Sequence, residues 1–316
     1  MKILVTGGCG FIGSNFIREI TKHREVVNLD KLTYAGVNNL KGVKDYSFVK
    51  GDICKREDVE KAMKGCDTVV HFAADSHVDR SIKDPATFVQ TNVFGTYVLL
   101  EEARKNDIGR FVMISTDEVY GQIERGSFRE TDVLNPRNPY SASKAGAERL
   151  AYSFFATYGL PVVIPRSSNN FGPYQLPDKI IPLFITNILE NKKVPLYGDG
   201  KNVRDWVYVS DNCEAIRLCM ERGRPGEVYN IGGGNEITNL ELTRLILREM
   251  GKGEEMIEFV KDRPGHDRRY SLDSSKIMEE LGWRPGHDFR DAIKKTINWY
   301  GENQNWWKPL KKVAGR

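Results

Sequence analysis

Apolar residues fall in short, nearly continuous runs at 3–6, 25–30, 47–50, 68–72, 111–115 and 161–166. Between them lie longer stretches, over 13–22, 56–64, 85–106 and 141–158, whose apolar positions recur at helical spacing. Continuous rather than alternating runs suit strands buried on both faces. Strand and helix taking turns in this order predict an α/β fold with a doubly wound parallel sheet covered by helices on both sides.

Beyond residue 165 the pattern loosens and Pro and Gly become frequent. Residues 170–173 read as a loop, and 177–190 as a loop running into a helix. Thr238 followed by Glu241 is a capping box, opening a helix that ends at Met250-Gly251. Asp273 is placed to cap a further helix that stops at Gly282. The expected organisation is a first unit over 1–165 and a smaller mixed α/β lobe over 166–316. The two are interleaved, with part of 205–235 returning to the first unit.

Composition narrows the function class. The 316 residues carry 47 Lys and Arg against 43 Asp and Glu, with 40% hydrophobic and 28% charged residues. That is ordinary for a soluble enzyme and unlike a disordered chain. A net charge of +4 argues against a nucleic-acid partner and is compatible with an anionic small molecule met by a few arginines. The five cysteines, Cys9, Cys54, Cys66, Cys213 and Cys219, are odd in number and form no C-x-x-C. Neither a disulfide framework nor a zinc site is expected, and a cytoplasmic setting is. His71 and His77 lack metal-ligand spacing, so no metal is expected. No apolar run approaches the roughly 20 residues that span a bilayer. Residues 2–5 run directly into a glycine loop, unlike a leader.

That loop carries the first chemical signal. Gly7, Gly10 and Gly13 give G-x-x-G-x-x-G between the first strand and the first helix. Glycines there let the backbone turn tightly and approach a pyrophosphate at the helix N-terminus. Asp30 ends the second strand, where a carboxylate binds adenosine ribose hydroxyls and favours NAD over NADP, although Lys31 follows it. Asp52 and Ile53 follow the third strand, a place for adenine contacts. The fold class expected is therefore Rossmann-type.

The second signal is Tyr140 with Lys144, a Y-x-x-x-K pair. On a helix the two share a face, and an ammonium beside the phenol is expected to favour the phenolate, making Tyr140 a base for a hydroxyl proton.

With Phe72-Ala73-Ala74 and Thr116, these motifs resemble the extended short-chain dehydrogenase/reductase superfamily. Longer stretches are similar to the dTDP-glucose 4,6-dehydratase family within it. They include residues 30–36, Ser76-His77-Val78-Asp79-Arg80, Thr116-Asp117-Glu118-Val119-Tyr120, Arg166 to Gln175, Arg204-Asp205-Trp206 and residues 262–267. The likeness runs from residue 1 to about 300. Departures are mild: Asp75 stands where resembling proteins usually have Glu, and Phe171 and Leu176 where they have Tyr and Phe.

The resemblance implies that NAD is lined by Gly7, Gly10, Phe11, Ile12, Gly13, Asp30, Lys31, Thr33, Asp52, Ile53, Phe72, Ala73, Ala74, Ser76, Thr91, Tyr140, Lys144 and Asn170. It implies that a nucleotide diphosphate sugar is held by Ser76, Thr116, Asn169, Lys179, Ile180, Pro195, Tyr197, Arg204, Asn239, Arg263 and His266. Arginine suits the diphosphate because its planar fork matches phosphate oxygens. It further implies a redox-neutral reaction in which Tyr140 assists oxidation at C4, Glu118 removes the C5 proton and Asp117 protonates the departing 6-hydroxyl. Two neighbouring carboxyls split such roles when their pKa values are pushed apart, so Asp117 is expected to titrate high. The implied setting is nucleotide-sugar metabolism, including dTDP-rhamnose and polysaccharide biosynthesis. A homodimer through the helices at 85–106 and 141–158 is also implied. Other enzymes of the same fold remain open: UDP-glucose or GDP-mannose 4,6-dehydratases, UDP-glucose 4-epimerase and UDP-glucuronate decarboxylase. Outside that class, a non-catalytic NAD-binding sensor is the remaining reading.

Overall fold

The computed structural model describes residues 1–33, 37–262 and 265–314. Thirteen strands are described: β1 (Lys2–Thr6), β2 (Glu25–Asp30), β3 (Tyr46–Lys50), β4 (Thr68–His71), β5 (Arg110–Met113), β6 (Ser115–Thr116), β7 (Val162–Ser167), β8 (Asn169–Phe171), β9 (Val194–Tyr197), β10 (Val203–Tyr208), β11 (Val228–Ile231), β12 (Glu236–Thr238) and β13 (Ile257–Val260). The helices are α1 (Phe11–Ile20), α2 (Arg56–Met63), α3 (Val78–Lys83), α4 (Pro85–Phe88), α5 (Gly95–Lys105), α6 (Pro139–Tyr158), α7 (Ile180–Leu189), α8 (Val209–Arg222), α9 (Asn239–Glu249), α10 (Ser275–Leu281), α11 (Phe289–Glu302) and α12 (Gln304–Ala314).

The main sheet runs β11-β7-β5-β4-β1-β2-β3, with β6 beside β7, and its neighbours pair in parallel. This is a Rossmann-type doubly wound sheet. The order reverses between β1 and β4, and the crevice outside their carboxyl ends is where such sheets bind ligands. Two cores flank it. One gathers Phe16, Ile17 and Ile20 of α1, Ile216 and Cys219 of α8 and Ile277 of α10. The other gathers Val59 of α2, Leu99 and Ala103 of α5 and Ala147, Ala151 and Phe154 of α6. A third core, in the lobe, joins Phe184 and Ile185 of α7, Leu242 and Ile246 of α9, Ile293 of α11 and Trp307 of α12.

β7 continues to Ser167, and β8 follows at once in the lobe. After β10 the chain returns through α8 to β11 in the main sheet, then leaves again at β12, which pairs antiparallel with β10.

Several expectations need correction. Asn170 and Phe171, inside the stretch read as a loop, belong to strand β8, because the backbone of 169–171 pairs in parallel with Trp206–Tyr208. The positive φ of Gly172, 145°, then ends the strand. The helix expected over 85–106 is interrupted by a π-turn at Val89–Phe94. That turn presents Asn92, whose side chain bonds both backbone groups of Asp75 and the Ser143 hydroxyl, at 2.8–3.0 Å. The run expected over 111–115 splits into β5 and β6, with β6 directed onto β7. At α10 the N-cap position is Ser274, yet the free amide of Ser275 is taken by the Asp273 carboxylate at 2.9 Å. The capping box at Thr238 and Glu241 forms as the spacing predicts.

Candidate active site

The glycine loop is built for close approach. Gly7 has φ +70°, and a Cβ there would lie 2.6 Å from the Ala73 backbone, at the junction of β1 and β4. A Cβ on Gly13 would lie 2.5 Å from the Gly7 carbonyl oxygen. Helix α1 begins at Gly10 with neither a side-chain cap nor an acid in its first turn. Its first amides and the positive end of its dipole are left to an anionic ligand. Phe11 and Ile12, in the first turn, pack partly against the core below.

Asp30 closes β2. Its carboxylate accepts the Cys9 amide at 2.8 Å and the Leu32 amide at 2.8 Å, tying the second strand to the glycine loop. Burial pushes its pKa up, against those amides. The Lys31 ammonium is drawn to Asp52, 2.7 Å away, so two residues assigned to the cofactor from sequence meet each other. Ile53 is buried under Gly95, and Thr33 is exposed after β2. Phe72, Ala73 and Ala74 follow β4, with the Phe72 amide donating to the Thr6 carbonyl at 3.0 Å. Thr91 sits in the π-turn, half-buried. His71 is buried between the Thr6 and Thr96 hydroxyls, and burial lowers its pKa to about 3. It is a neutral structural histidine.

The two carboxyls expected from sequence to act as acid and base meet where β6 stops. Thr116 is its last residue, and Asp117–Tyr120 wind into a single 3-10 turn. The Thr116 hydroxyl accepts the Glu118 amide at 3.3 Å and lies 3.1 Å from Asp117 Oδ1. A turn, unlike a strand, permits adjacent carboxyls to work at one place. Asp117 is 2% exposed. Burial, with Glu118 close by, raises its pKa to about 8, the direction expected from sequence. Glu118 accepts from the Asn138 side-chain amide at 3.3 Å. Asn138 also caps α6, and Tyr140 lies in the first turn of that helix.

One expectation fails here. Lys144 shares the α6 face with Tyr140, but its Nζ donates to the Ile114 carbonyl at 2.6 Å. Burial, reinforced by Glu118 and Asp117, pushes the Tyr140 phenol above its ordinary value rather than below it. Burial also lowers Lys144 to about 8, with Glu148 working the other way.

The lobe supplies the remaining candidates. Arg204 is buried rather than solvated. Its guanidinium stacks on Tyr270 at 4.3 Å and donates to the carbonyls of Val203 and Asp267 at 2.7 and 2.8 Å. Its positive charge is felt by Asp117. Lys179 precedes Ile180 at the start of α7 and reaches the Ser76 carbonyl at 3.4 Å, across the two lobes. Asn239 opens α9 and its amide donates to the Asn202 carbonyl at 2.9 Å. Asn202 in turn donates to the Asp267 carbonyl at 3.1 Å, reaching Arg204's partner. Tyr197 ends β9, the strand that also carries Pro195, and its ring meets that of His266 edge to face. Arg263 lies outside the described residues. Buried oxygens of Asp117, Asn169 and Asn170 find no hydrogen-bond partner among the described residues. All three belong to segments assigned to ligand from sequence, and such atoms mark where a ligand completes the bonding.

Residues 4–296 match the family model described as GDP-mannose 4,6 dehydratase. A dTDP-glucose 4,6-dehydratase of Streptomyces antibioticus is 52% identical over 321 residues, 99% of this chain and 96% of that one. The chain belongs to the dTDP-glucose 4,6-dehydratase family. The family member DesIV of Streptomyces venezuelae, crystallised with NAD bound, has a TM-score of 0.95 at 49% identity, covering 98% of this chain and 100% of its own. UDP-glucose 4-epimerase of Thermus thermophilus, in complex with NAD, has a TM-score of 0.91 at 33% identity, covering 96% and 100%. The fold is thus common to dehydratase and epimerase.

For a 4,6-dehydratase family member, sequence reasoning overlooked several groups near the acid–base pair. Asp205 lies within electrostatic range of Asp117, and Tyr270 of Glu118. Asp205 adjoins Arg204 in a motif already singled out, whereas Tyr270 carries no signal of its own. Asn138 was legible as a helix cap before Pro139, but not as the group that holds Glu118.

Proposed function

We propose that this chain converts dTDP-glucose to dTDP-4-keto-6-deoxyglucose and water. The observation that carries the reading is a buried Asp117, protonated at neutral pH, next to Glu118 at the foot of the Tyr140 helix. Elimination across C5 and C6 needs one proton donor and one acceptor on the same sugar, and the pair differs in environment as that demands.

The glycine loop, Asp30, Ala73 and Asn170 fit NAD, with Lys31 engaged by Asp52 and Asp30 set for the ribose. When bound, NAD would supply the hydride acceptor for C4 and the hydride donor for C6, with a positive charge on its oxidised ring. Tyr140 takes the proton of the 4-hydroxyl, which Thr116 orients. The C4 ketone then acidifies the C5 proton, and Glu118 removes it. Asp117 gives its proton to the 6-hydroxyl, which leaves as water, and Glu118 returns a proton, exchanged with solvent, to C5 as the hydride reaches C6. The phenol needs positive charge nearby to ionise, and Lys144 is the cation this chain provides one helical turn along. Arg204, Lys179 and the lobe residues Asn169, Ile180, Pro195, Tyr197, Asn239, Arg263 and His266 hold the nucleotide diphosphate sugar.

Incubation with dTDP-glucose and, separately, UDP-glucose in deuterated water tests this directly. Mass spectrometry and NMR should show water lost from the dTDP sugar and deuterium at C5. Dehydration of the UDP sugar alone changes the nucleobase, and a C4 epimer rejects the reaction.

A homodimer belongs to the same proposal. Val89, Phe94, Tyr97 and Tyr152, on the π-turn and the neighbouring helices α5 and α6, are 37–54% exposed, which is high for large apolar side chains. A face of this kind is usual at an interface. Sedimentation should give twice the chain mass, and Phe94→Glu with Tyr97→Glu should give the monomer; wild-type protein that stays monomeric at working concentration removes the dimer. Among the described residues no helix is long and apolar enough to cross a membrane. The five free cysteines suit the cytoplasm, where we place the protein.

A further inference from the structure

Three charged or phenolic side chains line one face of α6 at successive turns: Tyr140, Lys144 and Glu148. The first two belong to the reaction proposed above. Glu148 is fully buried and has no part in that reaction. An ionised carboxylate so deep in a protein is costly unless it is paired and hydrogen-bonded on every side, and this one is. Arg166, itself 1% exposed, donates to Glu148 through Nε at 3.0 Å and through Nη2 at 2.5 Å. The Ser115 hydroxyl donates to the same carboxylate at 2.7 Å. Arg166 Nη1 then donates to the Tyr120 hydroxyl at 2.5 Å, and Tyr120 donates to Asn230 at 2.8 Å.

The position of these contacts along the chain matters more than their number. Ser115 immediately precedes Thr116, and Tyr120 ends the turn that begins with Asp117 and Glu118. The Glu148–Arg166 pair therefore grips the acid–base segment at both ends. It does so from the helix that carries Tyr140 and Lys144 and from β7, where Ser115 pairs with Arg166 and Thr116 with Ser167.

We propose that the buried Glu148–Arg166 pair is a positioning unit for this site: it sets the elimination segment 115–120 against the Tyr140–Lys144 helix, and Glu148 keeps Lys144 charged. This rests on the reaction proposed above. The electrostatic half follows from the surroundings of Lys144. Glu148 and Tyr140 flank it on α6, Arg166 stands behind Glu148 on β7, and His71 at the end of β4 is neutral. Asp117 and Glu118 face Tyr140 from the turn. Burial brings Lys144 down to about 8, and the Glu148 carboxylate opposes that fall.

Glu148 acts on Lys144 directly, whereas Arg166 acts on it by keeping Glu148 ionised. Removing the carboxylate lowers the lysine pKa, and removing the guanidinium leaves that carboxylate buried and unpaired, so that it takes up a proton and its support of Lys144 is lost as well. A readout that needs no substrate is the Lys144 titration, followed by NMR on lysine-labelled protein and assigned by its loss in Lys144→Arg. Glu148→Gln should move it down, and Arg166→Gln should move it in the same direction. Both variants should lower the rate of product formation by at least about tenfold through release of the 115–120 segment. The basic limb of their pH–rate profiles should move to lower pH with it. Glu148→Asp, which keeps the charge, should restore the wild-type lysine titration and part of the rate; thermal melting confirms that each variant is folded. No shift in either folded variant, or an upward one, would overturn the electrostatic role. Undiminished rates in both would overturn the positioning role. If wild-type protein makes no 4-keto product, the proposed reaction falls, and the lysine titration still decides whether Glu148 holds its charge.

Discussion

Asp117→Asn should reduce formation of the 4-keto-6-deoxy product by about 10²–10⁴-fold while leaving the first hydride transfer almost intact. The two are read separately: product by mass, hydride transfer by absorbance of the reduced cofactor on mixing enzyme with substrate. Asparagine keeps the shape of the side chain and its Oδ1 contact with Thr116 but has no proton to give the 6-hydroxyl. Reduced cofactor and the 4-keto sugar should then accumulate together. Equal loss of both signals would mean that Asp117 shapes the site rather than acting as its acid. The same variant carries a stability signature. In the native state Asp117 holds its proton up to about 8, whereas the unfolded chain releases it near the ordinary value of 3.8. The native state thus binds the extra proton across that window. Its contribution is fully present below the unfolded value and is lost as pH rises through the folded one. Asparagine removes this linkage, so the melting temperature of Asp117→Asn relative to wild type should rise between pH 5 and pH 8.

Tyr140→Phe should abolish the earlier step, with formation of reduced cofactor falling by about 10³-fold or more. Phenylalanine retains the edge-to-face contact with Phe88, at 6.4 Å between centroids, so packing is kept and only the hydroxyl is lost. Single-turnover absorbance gives the result, and substrate binding measured by calorimetry should be little changed. The direction of the phenol's shift adds a pH dependence. Because burial and the neighbouring carboxylates hold the proton on Tyr140, wild-type hydride transfer should gain rate as pH rises toward about 8, above which Lys144 gives up its charge. A variant that reduces the cofactor at wild-type rate would remove Tyr140 as the base.

Features carried by neighbours in the chain were legible in the sequence. The glycine loop, Asp30 at the end of β2 and the capping box at Thr238 depend on local spacing. Features that depend on which element lies opposite were not. Asn170 and Phe171 look like a loop because they stand before a Gly-Pro and carry no strand pattern, and only the pairing of 169–171 with β10 makes them part of a strand. Tyr140 and Lys144 were expected to cooperate because they share a helix face. The lysine, however, is captured by the Ile114 carbonyl, a group from a different strand. Asp117 and Glu118 were found through resemblance to a chemistry that requires two carboxyls. Asp117 is raised by burial, and the charges of Arg204 and Asp205 act on it from a distant segment. The Glu148–Arg166 pair joins α6 to β7 across 18 residues, and nothing in its spacing announces it.

The repeated passage of the chain between sheet and lobe has a mechanical consequence. β7 lies in the sheet and β8 in the lobe, β10 in the lobe and β11 in the sheet, and β12 again in the lobe. α10 packs against the sheet and α11 against the lobe core. A lobe joined by one linker swings on that linker like a door. A lobe stitched along its whole seam resists swinging, because opening it would bend every stitch at once. Movement here should be a small sliding of packed surfaces, and a large substrate should reach the crevice through shifts of the surrounding loops rather than by parting of the two lobes.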